Sequence, residues 1–255
     1  GALRPLAVRL LAHSADAVIV TNAEDAAELT GGPRPDGGYP DRLRPFGPPI
    51  HRIPIGSNIL SRPPNGYNRP AWREQMGVAD DELLLSYFGF LGESKGVDVL
   101  LEALGRLSES GAKVKLVMVG GSSGDSNQSE RGYAARIRQM ADQPRLRGRV
   151  IWTGFTEADK VSANLLASDV CVLPFRDGLS LRHGTLMAAI AHGLPIVSTK
   201  PRPFPPLRPD LALVDRENAL LVDAGDTGRL SEAIREACAS PELRAHLAAG
   251  SAKLA

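Results

Sequence analysis

Apolar residues along this chain fall into short unbroken runs, with stretches of helical spacing between them. Leu3–His13 carries apolar positions at helical spacing, Ala15–Val20 (ADAVIV) predicts a short strand ending at Thr21-Asn22, and Glu24–Leu29 predicts a helix. Gly31–Pro49 is rich in Gly and Pro and reads as a loop or linker. His51–Ile55 (HRIPI) is a short strand, Gly56-Ser57-Asn58 a turn, and Ser61–Pro70 a second loop. From Leu83 the alternation becomes regular. The predicted strands are Leu83–Phe88, Val114–Val119, Val150–Thr153, Val170–Pro174, Ile196–Ser198, Leu211–Val214 and Ala219–Val222. The predicted helices are Val97–Leu107, Tyr133–Ala141, Lys160–Ala167, Thr185–Ala191 and Thr227–Cys238. In the first of these, Val97, Leu100, Leu101, Leu104 and Leu107 share one face.

Buried-type strands alternating with helices define an α/β class with a doubly wound parallel sheet covered on both faces. That domain spans residues 56–255, and residues 1–55 form a separate, partial unit. Ligands of such sheets bind beyond the carboxyl ends of the strands, near the switch in strand order. The loops that lie there are Gly89–Gly96, Gly120–Ser129, Gly154–Glu157 and Phe175–Gly184.

Composition narrows the classes. Lys+Arg is 30 against 29 Asp+Glu, and aromatics are 5%, so neither the basic excess nor the stacking rings of a nucleic-acid binder are present. Two cysteines, Cys171 and Cys238, give no disulfide framework, which makes a reducing, cytoplasmic setting the expectation. No apolar run approaches the ~20 residues of a membrane span. Both ends read as the inside of a longer protein: GALRPLAVRLL has no signal-peptide design, and the tail stops in helical-looking sequence. The five histidines lack metal-ligand spacing, so no metal site is expected. Cys171 reads as an inert core thiol, His192 as structural, and the G-x-S-x-G elbow of a hydrolase is absent.

Three loops have the composition to carry chemistry. In Gly89-Phe90-Leu91-Gly92-Glu93-Ser94-Lys95-Gly96, Lys95 stands just before a helix N-terminus, where free amides and the helix dipole favour an anion. A plain turn with a solvated lysine is the alternative. In PFRDGLSLRHGTLMAAIAHGLP, Arg176, Arg182 and His183 precede a helix whose amides at Gly184, Thr185 and Leu186 are expected to be free for a phosphate, with Arg182 as a forked partner. Here the alternative pairs Arg182 with Asp177 and leaves the small residues to packing. In Trp152-Thr153-Gly154-Phe155-Thr156, Phe155 either offers an edge to a base or caps the core.

The succession of segments is more specific than any one loop. It runs HRIPIGSN, LSYFGFLGESKGVDVLLEAL, VKLVMVGG, VIWTGFTEADKVSANLLASDVCVLPF, GTLMAAIAHGLPIVST and ENALLVDAGD. Over roughly Ala15–Ala239 it resembles the C-terminal half of family-4 retaining glycosyltransferases of the two-Rossmann, GT-B architecture. The resemblance implies that residues 1–55 end an N-terminal acceptor domain and that residues 56–255 form a Rossmann-like nucleotide-sugar-binding domain. It implies transfer of a sugar from a nucleoside-diphosphate donor, with retention and without a required metal or other cofactor. The acceptor would be a saccharide, a lipid-linked saccharide or a small molecule. Any catalytic histidine and any membrane association, at the inner face of the membrane, would belong to the N-terminal half. Lys95 matches the lysine that contacts the donor diphosphate, Gly184-Thr185 the phosphate-facing helix start, and Phe155-Thr156 the loop beside the base. Gly92, Ser180 and His183 complete the expected donor-binding set with Arg182.

Three positions depart from the family pattern. Phe90 stands where the family carries an arginine, and Ser180 and Ala188 stand where it carries two glutamates. Either Arg182 replaces the missing arginine as the diphosphate clamp, or the chain is a non-transferring relative or scaffold. A sugar-nucleotide epimerase of the same architecture is a further alternative.

Overall fold

The computed structural model describes residues 3–32, 42–43, 47–121, 128–202 and 212–254. The chain forms two compact units. The first comprises residues 1–56, Ser180–Arg182 and 203–212, and the second residues 57–179, 183–202 and 213–255.

In the first unit, helix α1 (Leu3–His13) precedes strand β1 (Val18–Val20), helix α2 (Ala23–Thr30) and strand β2 (Ile50–Arg52). The strands pair in parallel, Val18 opposite Ile50. Both are shorter than the sequence pattern predicts. Asn22 caps α2 by accepting from the Asp25 amide at 2.9 Å, and Gly31 ends it in the left-handed region. Ala12, Val20, Ala26, Leu43 and Ile50 form a small core.

The second unit is a six-stranded parallel sheet. Its strands are β3 (Leu83–Phe88), β4 (Val114–Val119), β5 (Val150–Gly154), β6 (Val170–Leu173), β7 (Ile196–Thr199) and β8 (Leu220–Val222). Their order is β5-β4-β3-β6-β7-β8. The chain thus steps outward from β3 to β5, returns to pair β6 with β3, and steps outward the other way. The switch point lies between β3 and β6, where Leu85 faces Val170 and Ser86 faces Cys171. β6 and β7 are buried throughout, as their unbroken apolar runs require, while edge strand β5 leaves Trp152 partly exposed.

Helices α4 (Val97–Glu109), α5 (Gln128–Ala141), α6 (Ala158–Ala167), α7 (Gly184–Ala191) and α8 (Thr227–Ala239) follow the strands. On α4 the predicted apolar face is the buried one: Val97, Leu100, Leu101, Leu104 and Leu107. Together these elements are the doubly wound α/β arrangement that the alternation predicts.

The structure departs from the sequence pattern in three places. The stretch expected to be loop up to Pro70 already contains the start of helix α3 (Arg69–Gln75). Asn68 caps it by accepting from the Ala71 amide at 3.0 Å, and Pro70 sits in its first turn. Arg73, buried, then fastens α3 by donating to the carbonyls of Ala167 and Glu82 and to the Asp169 carboxylate. Helix α9 (Pro241–Ala252) follows α8 directly, capped by Ser240. The expected strand over Leu211–Val214 is absent at residues 212–214, and Leu211 lies outside the described residues. There Asn218 accepts from the Val214 amide and Arg216 takes φ 64°, a turn that leaves Asp215 to bridge Ala219.

Candidate functional site

The carboxyl edge of the sheet is built from glycines at points of close approach. Gly89, at the end of β3, has φ +143°, and the space its side chain would occupy lies 3.3 Å from the Thr185 methyl. A side chain on Gly120, at the end of β4, would meet the Gly89 carbonyl oxygen at 2.7 Å. The β3 and β4 ends are therefore packed backbone to backbone, with the Thr185 methyl of α7 against Gly89. Tyr87, fully buried, donates its hydroxyl to the Phe90 carbonyl at 2.9 Å and fixes the path out of β3, and burial raises its pKa well above the usual phenol value.

Gly92 begins a single 3-10 turn, Glu93–Lys95, that closes at Gly96 with φ +65°. Lys95 is half-buried rather than simply solvated. Its ammonium lies 5.0 Å from the centroid of the Phe175 ring. Phe175, buried at the end of β6, also stacks on His183, centroid to centroid 3.9 Å at 21°. His183 is the N-cap residue of α7. One buried ring thus ties the Lys95 turn to the start of α7. Sequence reading placed Phe175 only as the first residue of a loop; its strand-end position was the available signal.

Two expectations about helix ends need correction. The N-terminus of α4 is not open to an anion, because the Tyr133 hydroxyl takes the Asp98 amide and the Asp98 carboxylate stands in its first turn. Asp98 accepts from the Tyr133 hydroxyl at 3.0 Å and pairs with Arg176 at 2.6 Å, and its amide donates to the Tyr133 oxygen. Burial, ahead of the nearby Asp98 charge, pushes Tyr133 up to about 12, so it stays a donor at neutral pH. At α7, the Leu186 amide is not free: it donates to the His183 carbonyl at 2.9 Å. The amides of Gly184 and Thr185 accept no such closure among the described residues.

Those two amides stand out by charge. α4 carries Asp98 in its first turn, α5 Glu130 and α6 Asp159, and α8 is capped by Asp226. Among the helices that follow sheet strands, α7 is the one with neither an acidic cap nor an acid in its first turn. Its amino end keeps the full positive end of the helix dipole, next to Lys95 and the Phe175–His183 stack.

The other predicted positions spread along the same edge or out of it. Phe155 follows β5 and is 81% exposed, which removes the reading of it as a core cap. Thr156 beside it is half-buried. Phe90 is 57% exposed and Ala188 wholly buried within α7. Asn58, outside the expected set, brings its side-chain oxygen within 4.0 Å of the Cβ position on Gly184. Ser180 and Arg182, with the Arg182 amide 3.4 Å from the Ser180 hydroxyl, group with the first unit and not with this cluster. Among the described residues, no three His, Cys, Asp or Glu side chains gather to hold a metal, and no helix is long and apolar enough to cross a membrane. His192 is buried between the Ala188 carbonyl and Ser162, at 2.7 and 2.9 Å, a structural bridge. Burial pushes the Cys171 thiol up to about 12, so it is inert.

A six-stranded parallel sheet with its switch point between β3 and β6 and helices after its strands defines a doubly wound α/β domain. Residues 68–254 match the model of the glycosyl transferases group 1 family, and the chain belongs to that family. It is 30% identical over 243 residues to a D-inositol 3-phosphate glycosyltransferase of Xylanimonas cellulosilytica, covering 93% of this chain and 52% of the relative. A protein of the same name from Corynebacterium diphtheriae is 25% identical over 244 residues, covering 91% and 50%. The chain thus spans about half the length of these relatives. Among solved structures, Anabaena Alr3699/HepE in complex with UDP and glucose superposes with TM-score 0.76 at 20% identity, over 99% of this chain and 62% of that one. Sucrose-phosphate synthase from Thermosynechococcus elongatus superposes with TM-score 0.73 at 22% identity, over 100% and 57%. These likenesses establish the GT-B type of fold for the second unit's sheet and helices.

Proposed function

We propose that this chain is the donor-binding half of a glycosyltransferase that takes a sugar from a nucleoside diphosphate, with retention and without a metal. The observation that carries the reading is the acid-free amino end of α7, with two unclosed amides beside Lys95. When the glycosidic phosphate bond breaks, the leaving diphosphate gains negative charge. Fixed amides and an ammonium aimed at it stabilise that charge more in the transition state than in the ground state. In this reading Phe155 and Thr156 lie beside the base, and Gly92 and His183 shape the diphosphate pocket. In the same reading Arg182 clamps the diphosphate in place of the arginine missing at Phe90, and Ser180 approaches the sugar. The first unit is the end of the acceptor domain. The acceptor is a saccharide, lipid-linked or small polyol, the last in line with the relatives named for an inositol phosphate. The setting is the cytoplasm or the inner membrane face.

Calorimetric titration of the chain with UDP, GDP and ADP, each with Mg²⁺ and with chelator, tests the reading. One nucleotide should bind equally well in both, and Lys95→Ala, Arg182→Ala and Thr185→Asp should each weaken it at least about tenfold, the size of a lost charge-assisted contact. Binding that vanishes with chelator removes metal independence. Absence of binding in the chain, together with no transfer by a protein that includes the remaining half, favours the scaffold alternative. The replacement of two family glutamates by Ser180 and the buried Ala188 is what motivates that alternative.

A further inference from the structure

The Lys95 turn and the β6–α7 loop are joined at the backbone as well as through the Phe175 ring. The Arg176 amide donates to the Ser94 carbonyl at 2.9 Å. Gly96 lies so close to Pro174 that a Cβ on it would stand 2.0 Å from the Pro174 carbonyl oxygen. The Arg176 guanidinium then reaches across to Asp98 at 2.6 Å, and Tyr133 holds the other oxygen of the same carboxylate at 3.0 Å. Arg136 approaches that carboxylate at 3.6 Å and lies over the Tyr133 ring. Asp98 thus gathers three partners from two elements, Arg176 from the β6–α7 loop and Tyr133 and Arg136 from α5, all onto the first turn of α4.

Resting on the donor-binding reading above, we infer that Arg176 and Asp98 are positioning residues for Lys95. The Arg176–Asp98–Tyr133 bridge holds the Lys95 turn at a fixed distance from the amino end of α7, so that ammonium and amides meet one diphosphate together. Two consequences follow from the geometry. The bridge consumes the charge of Arg176 and the N-terminus of α4, so neither competes for the ligand. Lys95, half-buried on Phe175, needs no ordering when the ligand arrives, which removes a cost of binding.

A double-mutant cycle separates positioning from direct contact. The affinity of the bound nucleoside diphosphate is measured by calorimetry for the unaltered chain, Arg176→Ala, Lys95→Ala and the double variant. Positioning predicts that Arg176→Ala weakens binding about tenfold when Lys95 is present and less than about twofold when it is absent, a non-additivity in the range of coupled residues. Tryptophan fluorescence on heating confirms that each variant is folded. Should Arg176→Ala unfold, Tyr133→Phe, which loosens Asp98 from the other side, takes its place with the same expected pattern. Arg176→Lys should recover part of the loss. Equal losses in both backgrounds would overturn the inference while leaving the donor site standing. A chain that binds none of the three nucleotides, together with no transfer by a protein that includes the remaining half, would overturn both.

Discussion

Gly96 and Gly154 share almost the same positive φ, +65° and +66°, and differ in what surrounds them. Alanine at either position must adopt a left-handed conformation, at a cost of about 1–2 kcal/mol. At Gly154 nothing lies within 4 Å of the new methyl, so the cost ends there. At Gly96 the methyl would stand 2.0 Å from the Pro174 carbonyl oxygen, and backbone cannot swing aside as a flexible side chain would. Forcing that contact open adds about 1–3 kcal/mol, as overpacking does elsewhere. Gly96→Ala should therefore cost about 2–5 kcal/mol in total and Gly154→Ala about 1–2 kcal/mol. The chain's two tryptophans, Trp72 and Trp152, both lie in the second unit, so their fluorescence follows that unit alone. Thermal unfolding read this way should separate the variants by at least about 2–4 °C, the shift per kcal/mol for a chain of this size. Equal melting temperatures would refute the argument, because they would mean that Gly96 is needed for its torsion and not for the close approach.

Replacing Arg73 by Met should cost about 2 kcal/mol in urea unfolding, because it leaves two carbonyls without their donor inside the protein while Asp169 keeps Arg69 and the Leu84 amide. The pH dependence of stability should carry a His192 contribution with a definite sign. Burial holds the folded imidazole below its ordinary 6.5, so the contribution is complete above that value. Below it the unfolded chain takes up the proton first, and stability falls as the pH drops through the folded value. His192→Gln should lose that part of the slope, below the ordinary 6.5, in urea midpoints. Phe155→Ala should leave stability within about 0.5 kcal/mol, since the ring is 81% exposed, yet weaken nucleotide binding by about 1–3 kcal/mol if a base stacks there.

Much of the second unit was legible because its strands are unbroken apolar runs bounded by glycine. Leu83–Phe88 and Val114–Val119 match the observed strands end to end. The short elements were harder. The start of α3 reads as loop because Asn68 and Pro70 are turn residues as well as helix-start residues, and the burial of Arg73 against Ala167 and Glu82 decides between them. Leu211–Val214 looked apolar enough for a strand, but Asn218 and the left-handed Arg216 turn the backbone instead. At the site, Lys95 and the start of α7 were visible as a lysine and a glycine beside helix starts. That α4 is closed by Asp98 while α7 is open depends on which side chains meet across the fold, and Arg176 and Tyr133 lie 78 and 35 residues from Asp98 along the chain. Sequence order does not display such distances.

The carboxyl edge of this sheet repeats one motif, a strand running into a helix, and each repeat creates a place where a negative group could settle. The chain's own acids settle at all of them except α7. Address and identity are therefore set by different parts of the molecule. In the proposed reading charge decides where a ligand is seated, because α7 starts without an acid while α4, α5, α6 and α8 do not. What the ligand is must be read by groups that carry no charge, such as the open rings of Phe155 and Phe90. On the proposed function, altering those rings would change which base or sugar is accepted without disturbing the seat itself.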